Sequence, residues 1–131
     1  MKTLLLCLAL LLLLPNLLAA LGSYTRKRQL GRIDNHDPRQ QVLQLDSRGQ
    51  RLYAAQQNAW EALLLFSGSV LLAHLAGLDL ASLKIASIVF IASRLLHPLA
   101  YVYGWASLRS ALMLVAWLCC IYIVTSGLLA L

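Results

Sequence analysis

The stretch Gln50-Arg51-Leu52-Tyr53-Ala54-Ala55-Gln56-Gln57-Asn58-Ala59-Trp60-Glu61, running on into Ala62-Leu63-Leu64-Leu65-Phe66, decides how this chain is read. It opens a hydrophobic helix, yet it carries an arginine, an asparagine and a glutamate. Charged and amide groups are costly at bilayer depth and are kept there mainly where they pair or act. Arg51, Ala54, Asn58 and Glu61 are spaced three and four residues apart, so they share one helix face.

Outward from that stretch the chain is apolar. It has 131 residues, of which 60% are hydrophobic. That is too short for two ordinary domains and too apolar for a typical soluble one. A spanning helix needs about 20 mainly apolar residues. Leu4–Thr25 is uncharged, Ala59–Leu78 holds only Glu61, Leu80–Tyr103 holds only Lys84 and Arg94, and Ala111–Leu131 has no charge at all. An all-α, integral membrane four-helix bundle is therefore expected as a single domain over residues 1–131. Each helix satisfies its own backbone hydrogen bonds in lipid. The spans are placed at about residues 4–22, 50–76, 80–103 and 109–130, with a polar loop over 23–49.

The net charge of +6 raises the question of nucleic acid. Its distribution answers against it. Arg26, Lys27, Arg28, Arg32, Arg39, Arg48 and Arg51 all lie between the first and second hydrophobic segments. Basic residues beside spans mark the cytoplasmic side and contact anionic headgroups, and no nucleic-acid motif accompanies them. The expected partners are membrane lipids. The expected location is an inner or plasma membrane, with the 23–49 loop cytoplasmic. Lys2, the run Leu4–Leu14 and the small residues Ala20-Leu21-Gly22 also have features of a cleaved secretory signal. Cleavage would put the most basic loop on the translocated side, so a retained first helix, with Pro15 inside it, is the expectation. Cys7, Cys119 and Cys120 all fall in hydrophobic segments and form no disulfide or zinc pattern. His74 stands alone, and no metal site is expected.

Within the loop, Asp34-Asn35-His36-Asp37-Pro38-Arg39 carries turn residues. Gln40–Leu45 suits a short interfacial helix. Ser47-Arg48-Gly49-Gln50 fits a capping box, with Ser47 as N-cap and Gln50 three residues on. Gly77-Leu78-Asp79 is a tight turn, and Pro98 interrupts the third span with an expected kink.

Depth then links two helices. Glu61 lies about 15 Å along the helix from Arg51, and Arg94 lies about 15 Å before Gly104 on an antiparallel helix. The two charges reach similar depth. They are expected to interact, directly or through a shared hydrogen-bond network. Arg94, His97 and Tyr101 repeat the three-then-four spacing, and Arg109 and Ser110 continue that face. The set suits a small anionic, amide-rich ligand, because arginine grips carboxylates bidentately and tyrosine and histidine supply further hydrogen bonds. Blander roles stand beside this one. Arg51 can be a headgroup anchor, Asn58 interhelical glue, Glu61–Arg94 a structural pair, His97 a partner for a carbonyl freed by Pro98, and Tyr101 an interfacial aromatic.

These residues resemble the membrane-associated proteins in eicosanoid and glutathione metabolism. That family includes microsomal glutathione transferases, leukotriene-C synthases and microsomal prostaglandin-E synthases. Its second-helix motif has the form Glu-Arg-x-x-Arg-Ala-x-x-Asn-x-x-Glu followed by apolar residues and Phe. Arg51, Ala55, Asn58, Glu61 and Phe66 match it. Arg94, His97 and Tyr101 are similar to the third-helix pattern of the prostaglandin-E synthases, and Arg109-Ser110 to their later Arg-Ser pair, with one residue less before Arg109. The likeness covers essentially the whole chain. It implies a homotrimer with glutathione, as co-substrate, held between neighbouring subunits near the cytoplasmic face. By the same likeness Arg51, Asn58, Glu61, Arg94, His97 and Tyr101 line or support the ligand site, while Arg109, helped by Ser110, stabilises the thiolate. The chain departs from the motif at Gln50, which replaces the glutamate, and at Ala54, which replaces the second arginine. In the family that arginine helps hold glutathione.

Two functions follow as expectations. One is a glutathione-dependent transferase or peroxidase acting on hydrophobic electrophiles. The other is a non-catalytic membrane or lipid-binding protein that keeps the same fold. A small transporter component fits less well, since four spans show no internal repeat.

Overall fold

The computed structural model describes every residue from Met1 to Leu131. It is all-helical: α1 (Lys2–Leu30), the short α2 (Pro38–Val42), α3 (Ser47–Leu75), a 3-10 turn (Leu80–Leu83), α4 (Lys84–Tyr103) and α5 (Ala106–Leu128). Four of these segments are long and apolar enough to cross a membrane. α3 and α4 touch each other, and α1 and α5 each pack against both. The α3–α4 pair is thus the centre, flanked by α1 and α5.

The core is small side chains around two rings. Phe66 and Phe90 are fully buried and stack with centroids 4.4 Å apart and planes 24° from parallel. Around them α3 offers Ala55, Ala59, Ala62 and Ala73 to its neighbours. Small residues let helix backbones approach closely, which is how spans associate where lipid offers no hydrophobic drive. The closest approach is at Gly127 on α5. A Cβ there would lie 2.9 Å from the Cα of Ala73. Outward, Leu5, Leu12, Leu64, Leu71, Ile85 and Leu118 are exposed on the helix flanks. Apolar surface on that scale belongs in lipid, not water.

Several local expectations change. The first helix does not stop at Gly22. It runs eight residues further, to Leu30, and ends on Gly31, whose φ of 73° forms the left-handed cap. Its apolar stretch, Thr3–Thr25, spans about 33 Å, close to the hydrocarbon thickness. The basic turn Arg26–Arg28 projects beyond it, where cations suit a helix C-terminus. Hydrophobicity therefore ends at the membrane while the helix continues. The short loop helix lies at Pro38–Val42 rather than Gln40–Leu45, with proline at its start, a position that needs no N–H donor.

The cap of α3 is also one residue earlier than expected. Asp46, not Ser47, takes the extended N-cap conformation, and its carboxylate accepts from the Gly49 N–H at 2.8 Å. Gln50 closes no capping box. Its side-chain amide donates back to the carbonyls of Leu43 and Leu45. Gly49 has no room for a side chain, since a Cβ would lie 2.8 Å from that of Leu45. The fourth span begins at Ala106, three residues before Arg109, so Arg109 sits inside the first turn of α5.

Candidate functional site

The depth match between α3 and α4 resolves into a network centred on Asn58. Arg94 is buried, and its Nη2 donates to both the side-chain and backbone oxygens of Asn58, the latter at 3.2 Å. Asn58 in turn donates from Nδ2 to Glu61 Oε2 at 3.2 Å. Glu61 and Arg94 are thus linked through one amide. Arg94 Nη1 turns to α5 and meets Met113 Sδ at 3.4 Å. The Nε of Arg94 is buried without a partner.

Two hollows flank this network. One is a small, mostly apolar cavity of about 80 Å³ where Glu61, Arg94, Phe90 and Cys120 meet. The other is a cleft of about 470 Å³ between α3, α4 and α5, and it gathers His97, Tyr101, Arg109 and Ser110. Asn58, Met113 and Trp117 line both. The cleft falls in the size range of small-molecule sites, roughly 300–1,000 Å³. Inside it the Arg109 guanidinium lies over the Tyr101 ring, 4.7 Å from its centroid. Tyr101 also meets the buried His97 edge-on, at 5.6 Å between centroids. One aromatic face thus orients a cation and one edge fixes an imidazole.

Arg51 lies elsewhere. Its guanidinium packs at the end of α4, where a Cβ on Gly104 would lie 3.2 Å from Nη1. It lines neither hollow of the chain. At that helix C-terminus a cation meets outward carbonyls and the negative end of the dipole.

The sequence model of the MAPEG family matches residues 3–129. The chain belongs to the MAPEG family. No curated protein matches it. This MAPEG chain is accordingly an integral membrane protein with four spanning helices.

The MAPEG chain brings Asn58, His97, Tyr101, Arg109 and Ser110 to one cleft and links Glu61 and Arg94 behind it through Asn58. It also places residues there that the sequence left out. Met113 and Trp117 form the wall shared by cleft and cavity, and Cys120 lines the cavity. The signal was available. Starting from Arg109 and Ser110, positions 113, 117 and 120 continue the same helix face. In a spanning helix methionine, tryptophan and cysteine ordinarily read as packing, so residue type alone does not mark them.

Proposed function

We propose that this MAPEG chain is a glutathione-dependent transferase or peroxidase acting on hydrophobic electrophiles that reach it through the membrane. The observation that carries this reading is the cleft that gathers Arg109, Ser110, Tyr101, His97 and Asn58 beside an apolar wall. Arg109 would hold the glutathione sulfur as thiolate, since a nearby cation favours that form. Ser110 would donate a hydrogen bond to the same sulfur. Asn58, His97 and Tyr101 would bind the peptide, with Glu61 and Arg94 holding Asn58 in place. Arg51 enters the site in this reading only across a subunit boundary, from a neighbouring copy in a homotrimer. The 23–49 loop, with its basic residues, would face the cytoplasm and set the side from which glutathione enters.

In the transferase reaction the thiolate sulfur would form a bond to the electrophilic carbon, whose leaving group or π electron pair carries the displaced charge. One well-placed donor to developing charge is worth about 2.7–4 kcal/mol. The test is purified protein titrated with glutathione while thiolate absorbance is followed. The wild type should develop the thiolate band, and Arg109→Ala should lose it. No binding at millimolar glutathione, with Arg109→Ala behaving identically, would refute the enzyme reading.

One observation favours the second reading, a non-catalytic membrane protein. Ala54 stands where the family motif has an arginine, and the remaining motif arginine, Arg51, packs at the end of α4. If glutathione fails to bind, those two residues explain why.

A further inference from the structure

Met113 lines both the cleft and the cavity, and its sulfur has a chemistry that the proposed reaction leaves unused. Two N–H groups from two other helices converge on it. Arg94 Nη1 of α4 donates to Sδ at 3.4 Å, and Asn58 Nδ2 of α3 faces the same atom at 3.9 Å. A thioether is a weak acceptor, and a guanidinium bonds about twice as strongly to a charged or strongly polar oxygen. The other arms of the network do find oxygen. Arg94 Nη2 takes the two oxygens of Asn58, and Asn58 Nδ2 takes Glu61. Nη1 has sulfur alone. The buried cation thus points one donor at the weakest acceptor in the network.

One oxygen atom on that sulfur would change this. Methionine sulfoxide is polar, and its oxygen accepts where the thioether barely does. Three rotatable bonds let the side chain swing that oxygen onto Nη1 without moving the helix. The sulfur is also within reach of an oxidant, since Met113 is 42% exposed and faces the cleft. It lies seven residues into α5, about 11 Å along the helix from Ala106. Leu114 and Trp117 give the cleft an apolar wall at that depth, and Tyr101, Arg109 and Ser110 supply hydrogen-bond donors beside it. An oxidant with an apolar body and one polar, oxygen-rich end matches both halves.

We infer that Met113 is a reversible oxidation site for organic hydroperoxides dissolved in the membrane, and that Arg94 and Asn58 hold the resulting sulfoxide. A lone pair of Sδ attacks the terminal peroxide oxygen. The S–O bond forms as the O–O bond breaks, and the proton on the transferred oxygen passes to the departing alkoxide, which leaves as an alcohol. Sulfur loses two electrons and the peroxide gains them, so no further reactant is needed. Sulfoxide reductases return the thioether. Because Arg94 and Asn58 fix the sulfur from one side, one of its two lone pairs is left for the oxidant, and one sulfoxide epimer should result. Oxidation turns the apolar partition between cleft and cavity polar. The step does not involve glutathione, so it stands or falls apart from the proposed transferase or peroxidase reaction.

The test exposes the full chain, in phosphatidylcholine vesicles without glutathione, to a fatty-acid hydroperoxide. Peptide mass spectrometry reads the oxygen added at residue 113, and the two classes of methionine sulfoxide reductase, each specific for one epimer, read its handedness after unfolding. The wild type should give one epimer in about tenfold excess, the worth of one hydrogen bond to a charged group. Leu114→Met supplies the comparison within one molecule. Residue 114 lines the same cleft and is more exposed, 55% against 42%, but neither donor reaches it. The methionine introduced there should give both epimers in similar amounts. Arg94→Lys keeps the charge and loses the planar fork, and should erase the bias at Met113; should that variant fail to fold, the contrast between positions 113 and 114 decides alone. Equal epimers at Met113, the same bias at both positions, or a bias that survives Arg94→Lys would overturn the proposal. Hydrogen peroxide at the same concentration distinguishes the source of the oxidant. Slower oxidation of Met113 by hydrogen peroxide supports a membrane-borne hydroperoxide, while faster oxidation would assign the site to the water-soluble oxidant and overturn that part of the reading.

Discussion

Replacing Asn58 should uncouple α3 from α4 more severely than replacing Glu61. Arg94 is buried and gives two hydrogen bonds to Asn58, one to the amide oxygen and one to the backbone. Asn58→Ala removes the first and leaves the second. A hydrogen bond to a charged group is worth about 1.5–3 kcal/mol. Alanine recovers about 0.6 kcal/mol of helix propensity over asparagine, so a net loss of roughly 1–2.5 kcal/mol is expected. A cycle of Asn58→Ala, Arg94→Met and the double variant cancels the propensity term. It should yield a coupling above about 1.5 kcal/mol, well over the roughly 0.6 kcal/mol average for polar contacts in membrane bundles. The matching cycle of Glu61→Ala with Arg94→Met should give a smaller value, because Asn58 stands between the two charges. Both are measured by chemical unfolding in detergent micelles, followed by far-UV circular dichroism. A larger coupling for Glu61–Arg94 than for Asn58–Arg94 would refute the bridging arrangement. Additivity of the Asn58 and Arg94 defects would refute it as well.

Three further outcomes are expected. Gly127→Ala drives a methyl to within 2.9 Å of the Ala73 backbone and should cost about 1–3 kcal/mol as overpacking, whereas Gly68→Ala, with open space around its Cβ, should be neutral or stabilise by up to about 1 kcal/mol; thermal unfolding of the two variants side by side checks the contrast. The Asp46 carboxyl is held below its usual range by the Gly49 N–H and by Gln29, so its contribution is present above the unfolded carboxylate pKa of about 3.9 and is lost as pH falls through the lower folded value. The protection of the first-turn amides of α3, taken relative to their intrinsic exchange rates at each pH, should therefore fall on acidification in the wild type and be flat in Asp46→Asn, which keeps a neutral cap. Tyr101→Phe should preserve the glutathione thiolate band while Tyr101→Leu weakens it, if the ring face is what orients Arg109; equal bands in the two variants would remove that role.

The helices were legible because each span is a long uncharged run, and such runs have few other uses. The pairing of Asn58, Glu61 and Arg94 was legible as depth, since counting residues along two antiparallel helices fixes height. Which of them touches Arg94 was not, because that depends on rotamers. At one height an asparagine and a glutamate compete for one guanidinium, and the nearer amide oxygen of Asn58 wins it. The length of α1 is not legible for a related reason. The sequence marks where lipid ends, at Arg26, while the helix ends where glycine permits a left-handed cap, at Gly31. Ser47 and Asp46 are equally good caps by type, and only the extended backbone of Asp46 separates them. The helix face groups Arg51 with the site, and within its own chain the side chain reaches the end of α4.

The open side of the cleft connects the site to assembly. Glu61 is exposed on the flank of α3, about 15 Å from Arg51 along the helix. Trp117 and Met113, which form the shared wall, are exposed at the same side. A carboxylate facing lipid near the middle of a bilayer carries a cost on the order of 2.5–3.5 kcal/mol. Asn58 relieves part of it with one hydrogen bond from Nδ2 and cannot relieve the rest, because its Oδ1 is itself an acceptor and its Nδ2 also faces Met113 Sδ. A second copy covering that flank would remove the carboxylate from lipid and close the cleft in one step. The proposed trimer and the proposed glutathione site therefore stand on the same surface. Arg51, which is absent from the cleft of its own chain, would be useful there only if that surface is shared.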